Sequence, residues 1–285
     1  MVLPCQLERY ADPKGVAAMV RTFEAKVPRR VRDVDGPVAA TQLTEASSSL
    51  TRAKRTFRTT TTWFGDCLDE RVQLVATGAP RGVGDQAVQV VLRSHAKPRR
   101  TYVVGVARTG VYTTTALLSA DLADEAGAST RRAAARLLSG AVDKLCTLPD
   151  GGQCGDPDTR IAARPPLAAG VSPAMLSEID LPPVAGVGAA WVGTEPRAPL
   201  TNDAASSCDD TSFRGSYREA KFTNNATRTF VIPEAERSTE FGLTQTLGSL
   251  PGERASALVE DVRGALAACD SLNTDVTRLA RTDVR

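Results

Sequence analysis

The chain has 285 residues and 30.1 kDa, a length that suits about two domains of ordinary size. Its 35 Lys+Arg against 33 Asp+Glu leave a net charge of +2, which removes the broad electrostatic case for a nucleic-acid or membrane-surface binder. Apolar residues at 42% suffice for packed cores, no apolar run approaches the ~18 residues of a membrane-spanning helix, and one histidine, His95, excludes a multi-histidine metal site or a two-histidine mechanism within one chain.

In chain order, the first helical pattern carries Leu50, Ala53, Phe57 and Phe64 on one face and runs into Cys67. Four Val- and Thr-rich runs follow: 72–77, 86–94, 101–108 and 111–118. Gly, Pro and basic turns separate them, as in antiparallel strands. Between the first two, Gly78-Ala-Pro-Arg-Gly82-Val-Gly84-Asp85 superficially resembles a phosphate-cradling loop. It lacks the Gly-Lys-Ser/Thr that opens a helix, so a hairpin loop is predicted. A second helix is predicted from about Ser129, its cap, with Ala134, Leu137, Leu138, Ala141, Val142 and Leu145 on one face. Residues 149–171 carry Pro, Gly and Asp without periodicity and read as a linker. Ser172-Pro173 then opens a short helix over 174–179. A third helix starts at Pro251 and Glu253 and carries Leu258, Val259, Val262, Ala265 and Leu266 into Cys269. Val276 to Ala280 reads as a last strand.

The six cysteines, Cys5, Cys67, Cys146, Cys154, Cys208 and Cys269, form no CxxC pair, so zinc-ribbon and thioredoxin readings fail. An even number at wide spacings suggests disulfides and an extracytoplasmic location, the alternative being six buried thiols in a cytosolic protein. Six cysteines permit 15 pairings, but an internal repeat narrows them. Cys5 and Cys67 lie 62 apart, Cys208 and Cys269 61 apart, with ordered landmarks between. Arg21-Thr22-Phe23 answers to Arg228-Thr229-Phe230, Thr41-Gln42 to Thr244-Gln245, and a helix then enters the second cysteine. Matching copies imply Cys5–Cys67 and Cys208–Cys269. Cys146 and Cys154 remain, joined by a turn-rich loop that would let them meet.

The expected organisation is a first unit over 1–148 that lacks an N-terminal element, a linker at 149–171, and a second unit over 172–285 that lacks its C-terminal half. The chain is therefore expected to be a fragment whose signal or anchor lies elsewhere. Met1-Val-Leu-Pro4 has none of the features of a signal peptide.

Trp63-Phe-Gly-Asp-Cys67 closing a helix, the strands 86–94, 101–108 and 111–118, and the Ala-rich helix ending Val142-Asp-Lys-Leu-Cys146 together resemble the actinobacterial PknH-like extracellular sensor domains. In the second copy Arg228-Thr-Phe-Val-Ile-Pro233 and the helix into Ala268-Cys269 carry the resemblance. It covers about 1–146 and part of 172–285. It implies an α+β architecture, with a twisted antiparallel sheet packed with helices, disulfides, an exported location and a groove for an unidentified ligand. It supplies no catalytic residues, and the chain departs from it in having no kinase domain and an incomplete second unit.

The remaining motifs carry little chemistry. His95 sits in a strand-to-strand turn, and no Gly-x-Ser-x-Gly elbow exists. Arg52, Lys54, Arg55 and Arg58 give the first helix a basic face absent from its sister, either a solvated face or a contact for an anion. Arg29, Arg30, Arg32, Arg99 and Arg100 lack interleaved aromatics, and Asp209-Asp210 offers too few ligands for a cation. The expected function is a non-enzymatic extracytoplasmic sensor or ligand-binding module with tandem disulfide-stapled repeats. Its expected partner is a small ligand or cell-envelope component, with no cofactor or metal and no nucleic acid. The alternatives are a secreted hydrolase using His95 and a cell-surface structural or adhesion module.

Overall fold

The structure is a computed structural model that describes residues 2–25, 35–67, 69, 71–97, 99–121, 127–156, 159–167, 174–184, 186–199, 211–233 and 242–268. The chain divides into two compact units, Met1–Trp191 with Ile232–Ala235, and Val192–Val231 with Glu236–Arg285. Cys208, Cys269, Arg29, Arg30, Arg32, Asp209, Asp210 and the strand expected at 276–280 lie outside the described residues.

The first unit is α+β, built on a fully antiparallel seven-stranded sheet. Its elements are β1 (Ala17–Ala25), β2 (Asp35–Ala46), α1 (Leu50–Gly65), β3 (Val72–Pro80), β4 (Gln86–Ser94), β5 (Arg100–Thr109), β6 (Tyr112–Asp121), α2 (Ala128–Cys146) and β7 (Ile161–Ala163). The sheet order is β1-β2-β6-β5-β4-β3-β7. Because side chains alternate along a strand, each central strand feeds two cores. Val88, Val90 and Leu92 of β4, with Val104 and Val106 of β5, pack with Phe57 and Phe64 of α1. Val91, Val103, Ala107 and Ala116 point the other way, to Ala134, Leu138 and Val142 of α2. The helices therefore cover opposite faces. This double cover explains why β4 reads Ala87-Val-Gln-Val-Val-Leu92 rather than alternating apolar and polar.

Four threonines in a row, Thr59 to Thr62, are poor helix formers. In α1 they are accommodated by folding hydroxyls back onto the preceding turn: Thr60 Oγ1 donates to the Thr56 carbonyl at 3.0 Å and Thr62 Oγ1 to that of Arg58 at 2.9 Å. Ser49 caps the helix, accepting from the Arg52 amide at 3.3 Å. The segment before β1 has no regular structure and is held by side chains. Gln6 Oε1 accepts from the amides of Val2 and Leu3 at 2.9 and 3.1 Å, and its Nε2 donates to the carbonyls of Glu8 and Arg9. Buried Glu45 of β2 accepts from the amides of Ala11 and Asp12, and Asp12 pairs with Arg52 at 3.2 Å. The Cys5–Cys67 disulfide, Cα–Cα 4.8 Å, ties this segment to the end of α1.

The second unit contains β8 (Val192–Gly193), β9 (Ser216–Tyr217), β10 (Ala220–Lys221), β11 (Thr223–Val231), β12 (Leu243–Ser249) and α3 (Gly252–Ala267). A three-stranded sheet runs β12-β11-β8. In β1–β2 Arg21 opposes Gln42 and Thr22 opposes Thr41; in β11–β12 Arg228 opposes Gln245 and Thr229 opposes Thr244. The same residue types thus face each other in the same register, and a helix follows each hairpin within a few residues. The landmark residues thus occupy matching register positions in the two hairpins.

Several expectations are corrected. Leu50 (48% exposed) and Leu137 (36%) stand outside the faces assigned to them, as do Val259 (48%) and Leu266 (49%). On α1 and α2 these positions lie off the face packed on the sheet, and on α3 Leu258 alone is buried among the described residues. Ser129 lies inside the first turn of α2, whose cap position is Gly127. Residues 149–171 are not a free connection: β7 lies within them and pairs with β3, and the division between units falls at Trp191. The helix expected over 174–179 is a single 3-10 turn, Glu178–Asp180. Its Ile179 is buried in the first unit's core rather than opening the second unit.

Phe64 is fully buried, so Phe64→Ala is expected to lower stability by about 3–5 kcal/mol in chemical denaturation, whereas Leu50→Ala changes it by less than about 1 kcal/mol. Opening the 62-residue disulfide loop with Cys67→Ser should cost about 4 kcal/mol under oxidising conditions. Cys154→Ser, which opens a separation of only 8, should cost about 2.5 kcal/mol. Equal losses would contradict a loop-entropy origin.

Candidate functional site

A helix with its side chains is about 10–12 Å across and strands lie about 4.8 Å apart, so one helix covers about two strands. α2 packs chiefly on β5 and β6 and reaches β4 only through Gln89 and Val91, which leaves the same face of β3 uncovered by the helix. There the first unit carries a cleft of about 730 Å³. Its floor is Val75, Ala76 and Gly78 of β3 with Gln89 and Val91 of β4. One wall is the first turn of α2, Ala128, Arg131 and Arg132; the other is β7 with its flanks, Thr159 to Arg164 and Pro166.

Each part has a local reason. Gln89, 2% exposed, donates its Nε2 to the Arg131 carbonyl at 2.9 Å, fixing the start of α2 over the floor. Gly78 opposes Ala163 of β7, and a Cβ there would lie 2.6 Å from Ile161 Cγ2, so the wall sits this close only over glycine. Thr159 Oγ1 donates to the Arg81 carbonyl at 2.6 Å just before β7 begins.

The wall is also anchored from behind. Cys146 and Cys154 form a disulfide, Cα–Cα 5.1 Å, at the end of α2. The loop between them docks onto the β5–β6 turn: the Val111 amide donates to the Asp150 carbonyl at 3.1 Å and Thr109 Oγ1 to that of Gln153 at 2.9 Å. Asp85 is the hub. Its carboxylate accepts from Arg108 Nη1 and the Gly110 amide, both at 2.8 Å, and from the Gln153 amide at 3.1 Å. Burial pushes the Asp85 carboxyl up, but these two amides and the Arg108 guanidinium outweigh it and hold the group below the usual carboxylate value. Gly110 has φ +55°, and a Cβ would meet the Asp150 carbonyl at 1.8 Å, so the turn requires glycine.

The cleft's charge is one-signed. Among the described residues Arg131, Arg132, Arg160 and Arg164 line it, and no carboxylate does. None of the four forms an ion pair among the described residues, whereas Arg52, Arg108 and Arg218 each hold an aspartate. Arg131 is half-buried; the other three stand at the rim. The first turn of α2 contains no acidic residue, and Gly127 offers no side-chain cap, so the helix adds partial positive charge at the same mouth.

The residues singled out in the sequence lie elsewhere. His95 ends β4 in a turn; its Nε2 meets Gln73 Oε1 at 3.3 Å, and its backbone bonds with Arg71. Burial, then the charges of Arg93, Arg99 and Arg71, push its pKa below 6.5. Arg52 is drawn into the pair with Asp12 and the Lys14 carbonyl, while Lys54, Arg55 and Arg58 project from the exposed side of α1. The four residues therefore do not converge. In the second unit a shallow depression of about 440 Å³ lies by Arg218, Glu219 and the start of α3, where Arg218 and the Tyr217 hydroxyl both bond Asp261. The cleft arginines carried no motif. Their only trace was an Arg-Ile-Ala-Ala-Arg run, 160–164, inside the stretch read as a linker.

Removing Asp85 strands a guanidinium that is only 6% exposed, so Asp85→Ala should cost about 3 kcal/mol. Its contribution is full above the ordinary carboxylate pKa and is lost as pH falls through the lower folded value. His95 acts at a higher pH. The folded ring resists protonation, so stability is full above about pH 6.5 and declines as pH falls from there toward the lower folded value. Calorimetry should show a fall in Tm between pH 7.5 and 5.5 that is smaller in His95→Gln; an identical fall would place the titration elsewhere. No known protein family, curated protein or solved structure matches this chain.

Proposed function

We propose that the protein is a non-enzymatic, extracytoplasmic ligand-binding module of the sensor-domain type, with the cleft over β3 and β4 as its binding place. The single observation that carries this reading is the cleft itself. Its volume of about 730 Å³ falls within the range of small-ligand sites, and an apolar floor meets a few polar groups at its edge. A convex, pocketless unit would have favoured a structural spacer. The resemblance to PknH-like extracellular sensor domains points the same way, as do the two disulfides, which persist in oxidising compartments. A hydrolase would need a base with its nucleophile, and His95 meets Gln73 among the described residues, far along β4 from the cleft floor at Gln89 and Val91.

We read the two units as tandem copies of one ancestral element, on the shared register of β1–β2 and β11–β12. Cys67 stands two residues beyond α1 and Cys269 two beyond α3, which supports the pairing of Cys208 with Cys269.

Thermal-shift screening of chemically diverse small molecules tests the reading. Ligands that raise Tm in the native chain should fail to do so in Ala76→Trp, which fills the cleft floor. Hydrolysis of an ester panel that is abolished by His95→Ala would overturn the reading in favour of an enzyme. Intact mass after alkylation, on protein from an oxidising compartment, should show no reactive thiol before reduction and six after it. Two reactive thiols before reduction, mapping to Cys208 and Cys269, would sink that bond.

A further inference from the structure

We propose that the ligand of this cleft is a small amphipathic anion, with an aliphatic or aromatic body on the floor and a carboxylate or phosphate head at the arginine rim. This names the ligand class of the site read above and rests on that reading.

The argument is one of charge and polarity in the same cavity. The whole chain is nearly neutral, 35 basic against 33 acidic residues, yet among the described residues every charged residue lining the cleft is an arginine. Arg108 and Arg52, also partly buried, are matched by Asp85 at 2.8 Å and Asp12 at 3.2 Å, and half-buried Arg71 gives its guanidinium to the carbonyls of Val187 and His95. Half-buried Arg131 has neither kind of partner among the described residues of the cleft. It lines the cleft beside Val75, Ala76 and Val91 with no ion pair among the described residues, and a partly desolvated cation of this kind gains from an incoming anion. Arg132 lies on the same wall and Arg160 and Arg164 on the opposite one, so both walls of the cleft carry guanidinium groups suited to a carboxylate or phosphate. A hydrophilic anion would use the rim and leave Val75, Ala76, Val91 and Ile161 wet; a neutral apolar molecule would use the floor and leave the arginines uncompensated. Only a molecule with both parts satisfies both surfaces. The cavity accommodates one small molecule, and the chain's near-neutral balance gives no extended basic track for a polyanion.

The test is calorimetric titration of the full chain at low salt, below micellar concentrations, with laurate, dodecyl phosphate, dodecyltrimethylammonium, dodecyl maltoside and inorganic phosphate. Laurate and dodecyl phosphate should bind, and the cationic, neutral and purely hydrophilic probes should bind at least about tenfold more weakly. Arg131→Ala with Arg164→Ala should weaken the two anionic amphiphiles at least about tenfold with Tm unchanged. Arg160→Glu, at an exposed rim position, gives the same test should the first pair fold poorly. Ala76→Trp should abolish binding of both. Equal binding of the anionic and cationic probes, with arginine variants silent but Ala76→Trp still blocking, would overturn the anionic class and leave the cleft as a binding site. Inorganic phosphate binding as tightly as laurate would overturn the amphipathic body. Binding of the anionic probes that ignores Ala76→Trp, or no binding of either, would overturn the proposal, and in the former case would remove the site from the cleft as well.

Discussion

The first unit depends on a mismatch of widths: seven strands lie side by side, and each face has one helix. Where α1 and α2 overlap the centre of the sheet, β4 and β5 are buried on both sides, and their Val-rich sequences supply two cores from one set of strands. Outward from the centre the helices run out. Bare sheet remains at both ends, and the two ends have different fates. At β3 and β4 the chain returns after α2 to raise β7 as a second wall, which makes a cleft. At β1 nothing returns among the described residues, and Met19 and Phe23 on one face and Val20 on the other stay exposed.

Chain segments without regular structure are secured by polar hubs rather than by propensity. Gln6 gathers the N-terminal loop, Glu45 and Asp12 clip it to β2 and α1, and Asp85 gathers the turn after β5 and the disulfide loop after α2. Each hub satisfies backbone groups that water would otherwise have to reach. The Asp85 hub bears on the cleft. It fixes where the chain stands when it enters residues 159–166, and so sets the distance between the two walls of the cleft.

How much of this was legible in the sequence differs by element. The central strands 86–94 and 101–108 announce themselves because double burial removes polar residues, and the hairpin at 78–85 follows from its glycines. The likeness of the two hairpins is visible because the same residue types are opposed in both: Arg21 and Gln42 sit opposite each other, as do Arg228 and Gln245. The Cys5–Cys67 bond followed from that likeness and is formed. β7 was missed because three residues carry no periodicity, and its pairing depends on Gly78, some 80 residues away in sequence. The cleft was missed for the same reason. Its arginines come from α2 and from both sides of β7, segments whose proximity is a tertiary fact, while the conspicuous basic cluster on α1 lies apart from them.

The bare end of the sheet has a consequence for handling the protein. β1 is nine residues long and, among the described residues, terminal in its sheet, with Met19 61% and Val20 46% exposed and neither lysine nor proline within it to discourage a neighbour. Such a strand offers open backbone groups and apolar side chains together. Strand-to-strand self-association of the first unit is therefore expected to begin along this edge.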